Sequence, residues 1–301
     1  MSNARSIDTN RMRSYSSAFS RGAIMDIIRF NDFAHLSWVY NHYDNGNIRA
    51  NSYLDYLRML YKVLVSDYRC EYVYKNEIIR DLLVKYGTKS TAVFNEFKVG
   101  NSIADIAFFN GESKAFEIKT DLDTPKRLEK QLSDYQRVFD KCYIVIPADR
   151  YEQYLDGLAP EVGIITLSKQ GKSIVLEEER PATKQESIDS DVLINCLRTE
   201  EYKSLIVREC GNLPKVPGHC MYDACRRLMH DIPTEKQRSF FRDTVKGRKN
   251  NTALLKSIPL ELRQLCLSLG LDKRGIDGLL LRLNKLICKC TIHIFGANSS
   301  N

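Results

Sequence analysis

Three charged residues stand where strands should be apolar. Asp105 lies among Ile103, Ile106, Ala107 and Phe108, and Glu117 and Lys119 flank Ile118 after Phe116. Burying three ionised groups in a small sheet without partners costs several kcal/mol, so a bound cation is the economical explanation. Side chains alternate along a strand, which places Glu117 and Lys119 on one face. Asp105 joins them only if an odd number of residues turns the chain between the strands. A two-residue Asn110-Gly111 hairpin would send it to the wrong face, so a three- or five-residue loop or a bulge is expected. On that condition Asp105, Glu117 and the Ile118 carbonyl can hold Mg²⁺, or Mn²⁺ in its place, through oxygen ligands. Such an ion polarises a phosphate and acidifies a water, while Lys119 orients that water and stabilises developing charge. The chemistry expected of such a set is phosphodiester hydrolysis; the alternative is a Glu117–Lys119 salt bridge on an exposed sheet face, with Asp105 paired to a turn amide. Glu77, on a preceding helix, is a candidate assisting carboxylate.

The elements that must position this set are legible. Ile24, Ile27 and Ile28, then Leu54, Leu57, Leu60, Tyr61 and Leu64 predict a helical lead-in over 22–85, with Lys75 to Tyr86 as its last helix, ended by Gly87. From Thr91 the period becomes alternating. It predicts strands over 93–99, 102–109 and 114–120 with turns at Gly100-Asn101 and near Asn110-Gly111. A helix from Pro125 to about Phe139, a strand over 142–147, a helix over 151–158 and a strand over 162–167 follow. The expected fold class is therefore α/β, a mixed sheet with helices on its faces. The acidic run Glu177-Glu178-Glu179-Arg180 through Ser190 reads as a linker. Three parts result: an N-terminal helical region 1–73, a catalytic domain 74–186 and a basic helical domain 187–301.

The ordered set Glu77, Ala104-Asp105 and Glu117-Ile118-Lys119 resembles the acid, D and E-x-K pattern of the PD-(D/E)XK nuclease superfamily. Ala104 stands where the eponymous proline would be. Gln131-Leu132-Ser133-Asp134-Tyr135 is similar to the Q-h-x-x-Y motif of its RecB-like members, and the core also resembles that of Holliday-junction resolvases. Phe116 to Asp121 with Arg137-Val138-Phe139-Asp140 suggests a little-characterised bacterial family with a helical C-terminal extension. The resemblance implies a Mg²⁺-dependent deoxyribonuclease in which Asp105 and Glu117 bind metal, Lys119 positions water, and Gln131 and Tyr135 face the site. Gln131 and Tyr135 do share a helix face, being four residues apart. The other readings are a non-catalytic DNA-recognition or protein-interaction module on the same fold, and an RNA nuclease. Glu96 is an extra acid or a solvated strand residue. Asp121 and Asp123 are expected to cap the helix from Pro125, and Lys126, Arg127 and Lys130 either meet phosphates or form a solvated face.

The net charge of +7 is unevenly placed. Residues 1–186 hold 26 Lys and Arg against 26 Asp and Glu, and residues 187–301 hold 19 against 12. A basic C-terminal third attracts a polyanion or simply aids solubility. Within it, 236–249, with Arg238, Arg242, Lys246 and Arg248 beside Phe240-Phe241, either contacts phosphate or a partner or forms a snorkelling amphipathic helix, and 258–287 reads as two helices, either an ordinary hairpin packed on the core or a pair resembling a SAP-type DNA-binding element. DNA, a protein partner at this basic region and a homodimer are the partners the reading allows. Nine cysteines in no framework spacing indicate reduced thiols. Cys210, His219, Cys220, Cys225 and His230, or Cys288, Cys290 and His293, are a weak zinc alternative without paired C-x-x-C knuckles. No membrane span or signal-peptide core is seen, and a cytoplasmic location is expected.

Overall fold

The computed structural model describes residues 8–44, 49–121, 123–171 and 173–287. Its centre is a six-stranded mixed sheet in the order β1-β2-β3-β4-β5-β6. Strands β1 (Ala92–Val99), β2 (Ser102–Asn110) and β3 (Glu112–Ile118) form an antiparallel meander. The chain then crosses through α6 (Leu128–Gln136) to β4 (Lys141–Pro147), parallel to β3, and through α7 (Tyr151–Leu155) to β5 (Gly163–Gln170), again parallel. Strand β6 (Ser173–Arg180) closes the sheet antiparallel to β5. The fold is thus a mixed α/β fold, as the change of period along the sequence predicts. Strand β4 is covered on both faces, which is why Cys142 to Pro147 is a continuous apolar run rather than an alternating one.

Helices cover both faces. On one lie α1 (Thr9–Ser17), α2 (Arg21–Phe30), α3 (Ala34–Val39), α4 (Tyr53–Asp67) and α5 (Glu71–Tyr86), together with α12 (Arg263–Ser268) and α13 (Lys273–Leu283). Their apolar residues share a core with Ile106, Phe108, Phe116 and Val145. On the other face α6 packs with α8 (Ser190–Cys196), α9 (Thr199–Cys210), α10 (Met221–Met229) and α11 (Thr234–Gly247) over Ala107, Phe109, Ala115, Ile144 and Ile146. The apolar contacts therefore group by sheet face rather than by the three sequence segments: residues 255–287 share a core with the N-terminal helices.

Three sequence expectations are corrected here. The run Glu177 to Arg180 is no linker but half of β6. Glu178 accepts from the Tyr143 hydroxyl (2.9 Å) and Glu179 from Thr166 (2.8 Å), and acidic side chains suit an edge strand because they discourage further pairing. The helix expected from Pro125 to Phe139 is a 3-10 turn, Pro125–Arg127, followed by the shorter α6. Asp123 does not cap it: its carboxylate accepts from the Thr120 amide and hydroxyl, both at 2.7 Å. Asp121 pairs instead with Arg150 (3.6 Å) and Arg69 (3.9 Å).

At the start of β5, Gly163 is required by close packing. A Cβ there would overlap the buried Tyr143 ring and crowd the Ala182 amide. Gly163→Ala is therefore expected to cost about 1–3 kcal/mol, read as a lower urea midpoint at unchanged slope.

Candidate active site

Asp105 and Glu117 meet across β2 and β3. The register runs through Ile106↔Phe116 to Asn110↔Glu112, and one step further places Asp105 opposite Glu117. Only Gly111, at φ +68°, separates the last paired residues. The turn has the odd parity the sequence requires, though it is shorter than the three or five residues expected. The backbone ladder stops at Ile106↔Phe116, and beyond it the Asp105 carboxylate takes the place of a backbone acceptor: Oδ2 receives the Ile118 amide at 2.8 Å. The neighbouring Lys119 amide bonds the Val145 carbonyl on β4 (2.9 Å). Backbone groups alternate along a strand, so the Ile118 amide and carbonyl point toward β2 and Asp105.

Glu117 is only 3% exposed and is bound at both oxygens. Lys119 Nζ donates to Oε1 at 2.8 Å and to Gln131 Oε1 at 3.1 Å. The Tyr135 hydroxyl lies 2.7 Å from both Glu117 Oε2 and the Ile103 carbonyl, so its one proton is shared between two acceptors. Gln131 and Tyr135, one turn apart on α6, thus reach the strand residues as predicted. Helix α6 is held against β2 by a second bond, from the Ser102 hydroxyl to Asp134 (2.6 Å).

Burial raises the pKa of both carboxyls. For Glu117 the nearby Asp105 charge adds to burial, and Lys119 and Tyr135 act against it. For Asp105 the opposing groups are Lys75 and the Ile118 amide. Burial, then the Glu117 charge, also raises the Tyr135 phenol far above its ordinary value, so it remains a donor. Two close carboxylates that the fold resists ionising are a donor set that gains from a cation. They fit a hard divalent ion, with Asp105, Glu117 and the Ile118 carbonyl as the oxygen donors. Among the described residues no group of three or more His, Cys, Asp or Glu is gathered to hold a metal.

Glu77 is not brought to this group. On α5 it accepts from the Tyr61 hydroxyl (2.6 Å) and pairs with Arg80 (2.5 Å), lining a separate cavity with Arg58, Ser173 and Glu261. The residues of α5 that face Asp105 are Lys75, at 3.0 Å, and through it Glu71. Glu77 is two positions past Lys75, about 200° around a helix of 3.6 residues per turn, so one helix cannot present both to Asp105. The i,i+4 spacing of Glu71 and Lys75 was the available signal. Burial raises the Glu77 pKa although Tyr61 and Arg80 oppose it, so its ionised form weakens the fold. Its contribution to stability is full below the ordinary carboxylate range and is lost as pH rises through the raised pKa. Glu77→Gln should therefore gain stability relative to wild type between acid and neutral pH, measured by paired melts, and leave any phosphodiesterase activity unchanged.

Glu96 lies in register with Asp105 on the other side, and its backbone is left-handed at φ +56°, a conformation glycine adopts freely and other residues at a cost. It is exposed and shares a cleft of about 460 Å³ with Glu71, Lys75, Arg13 and Arg21. Lys126, Arg127 and Lys130 are exposed at the start of the α6 segment.

The basic third is less free than its composition suggests. Arg238 is buried against Asp140 (2.9 Å), and Arg248 pairs with Glu201 (2.6 Å), which removes both from the candidate phosphate contacts. The region 258–287 holds two helices, α12 and α13, and Leu265, Ile276, Leu279 and Leu283 pack into the core shared with α2 and α4, as an ordinary hairpin packed on the core would. Cys225 is buried, Cys210 is exposed and His230 bonds Asp191 (2.9 Å), and among the described residues these do not form a group of three or more that could hold a metal. Cys288, Cys290 and His293 lie outside the described residues.

Fold and site together define a mixed α/β protein with a buried acid–lysine constellation at the end of its meander. The chain belongs to the family described as Bacteriophage P4 protein cII, whose sequence model matches residues 65–265, a span containing the whole sheet and this constellation. Protein cII of Enterobacteria phage P4 is 28% identical over 177 residues, 57% of this chain and 65% of that relative's length. A protein of unknown function from Silicibacter pomeroyi aligns with 47% of this chain and 93% of its own at 16% identity, with a TM-score of 0.30. No helix among the described residues is long and apolar enough to cross a membrane.

Proposed function

We propose that the protein is a divalent-cation-dependent nuclease of PD-(D/E)XK type that hydrolyses DNA phosphodiester bonds. The observation that carries this reading is the convergence of Asp105, Glu117, Lys119, Gln131 and Tyr135, from two strands and one helix, on one small volume. Helix α5, the three-stranded meander, α6 and parallel β4 also follow one another in the order that superfamily uses.

Asp105, Glu117 and the Ile118 carbonyl would hold Mg²⁺ or Mn²⁺, which when bound would polarise the scissile phosphate and acidify an adjacent water. Lys119, kept in place by Gln131 and Glu117, presents an ammonium beside those carboxylates. It can orient the attacking water and offset charge gathering on the phosphate oxygens. Tyr135 fixes the Glu117 carboxylate from its other oxygen, and burial of all three side chains keeps them in one geometry. The exposed Lys126, Arg127 and Lys130 supply phosphate-binding charge at the α6 side.

One observation favours a second reading, a non-catalytic nucleic-acid-binding module: Lys75 and Lys119 already neutralise the two carboxylates from within the chain. Incubation with labelled single-stranded, duplex and branched DNA and with RNA, under Mg²⁺, Mn²⁺ or EDTA, separates the two. Cutting that EDTA abolishes supports the nuclease and identifies its substrate. Retained binding without cutting under either metal would leave the binding module.

A further inference from the structure

The four oxygens of Asp105 and Glu117 each have a donor within the protein. Asp105 Oδ1 has Lys75 and Oδ2 the Ile118 amide; Glu117 Oε1 has Lys119 and Oε2 the Tyr135 hydroxyl. A cation entering here competes with these donors for the carboxylate oxygens. The Ile118 amide is fixed in β3, and Tyr135 is fully buried and shared with the Ile103 carbonyl. Lys119 is held by Gln131 as well as by Glu117. Lys75 differs, because its ammonium has a second carboxylate outside the pair: Glu71 Oε1, one helical turn away, at 2.6 Å. The Lys75 side chain is 7% exposed, whereas that of Glu71 is 59% exposed and faces the open cleft.

Resting on the cation-site reading above, we propose that Lys75 is an internal counter-cation that competes with the divalent ion for Asp105, and that Glu71 receives it when the ion binds. An ammonium this buried needs a carboxylate at all times, since an unpaired buried charge is costly. Glu71 lets Lys75 release Asp105 without becoming unpaired. With the site empty, Lys75 relieves the repulsion between Asp105 and Glu117. With an ion in place, the same lysine stays on its helix, bound to Glu71 alone. Lys75 therefore sets how tightly the site holds its ion, and it is a positioning residue rather than one that touches the reacting phosphate.

The test is Mn²⁺ binding to the full chain without substrate, followed by the paramagnetic resonance of the free ion. Lys75→Met should tighten binding roughly tenfold, in the ordinary range of coupling between two ligands of one site. Lys75→Gln, which keeps a hydrogen-bond donor for Asp105 without the charge, should move affinity in the same direction, so the result does not hang on one variant folding. Glu71→Gln should weaken binding in the wild-type background, because Lys75 then clings to Asp105, and should have no effect once Lys75 is Met. Unchanged affinity in both Lys75 variants overturns the inference, as does an equal loss from Glu71→Gln in both backgrounds, which would make Glu71 a direct ligand. Absence of Mn²⁺ binding in folded wild type and in both folded Lys75 variants would instead remove the cation site itself, and this inference with it.

Discussion

Lys119→Ala should lower metal-dependent cleavage by on the order of 10²- to 10³-fold, the usual loss when one preorganised charge-stabilising donor is removed from an active site. The side chain is nearly buried, with its ammonium 2.8 Å from Glu117 and 3.1 Å from Gln131. Water filling the gap cannot supply a fixed positive charge. Divalent-ion binding should survive, because the substitution removes a cation from beside Glu117 and leaves the carboxylates in place. That combination, a rate lost with the ion retained, distinguishes a catalytic lysine from a structural one. Glu117→Ala should lose both properties. Single-turnover cleavage beside Mn²⁺ titration reads the two together, and a Lys119→Ala protein that cuts as fast as wild type would remove Lys119 from the mechanism.

The largest effect on stability is expected elsewhere, at Arg238. Its guanidinium donates to Asp140 Oδ1 (2.9 Å) and to the Ser187 carbonyl, with both members of the ion pair almost fully buried. Asp140 Oδ2 also takes the Ser113 amide (2.7 Å) and hydroxyl (2.8 Å), so the pair ties α11 to the start of β3 and of β4. Removing the arginine leaves a desolvated carboxylate with one side uncompensated. Arg238→Ala should cost about 3–5 kcal/mol in urea unfolding, as broken buried pairs typically do. Replacing both partners by apolar residues of similar volume should recover much of that loss, because two charges no longer have to be desolvated. A loss under about 1 kcal/mol for Arg238→Ala, the range of exposed ion pairs, would show that the pair is wet.

How far the sequence disclosed these features depended on the range of the interactions involved. The meander was legible because its alternation is local, and the facing of Asp105 and Glu117 reduced to the parity of one turn, which Gly111 satisfies. Gln131 and Tyr135 were legible because four residues on a helix make one face. Helix α5 was harder. Residues Val73 to Ile79 are all buried between the sheet and other helices, so no polar stripe shows which acid faces the site, and Glu77 was preferred to Glu71. The acidic half of β6 read as a linker because an edge strand with one wet side can carry charges that a central strand cannot. Arg238 read as a surface cation because nothing local reveals that its partner, Asp140, lies 98 residues earlier. Distance in the chain hid Asp140 from Arg238, but Asp123 was misassigned although its partner, Thr120, lies only three residues away.

The most direct test of the cation site is the anomalous scattering of Mn²⁺ soaked into crystals of the wild-type protein. A single strong peak is expected between Asp105, Glu117 and the Ile118 carbonyl, lost in crystals of Glu117→Ala. Crystals that bind Mn²⁺ only at other carboxylates, or that show no peak between these two strands at saturating Mn²⁺, would contradict it.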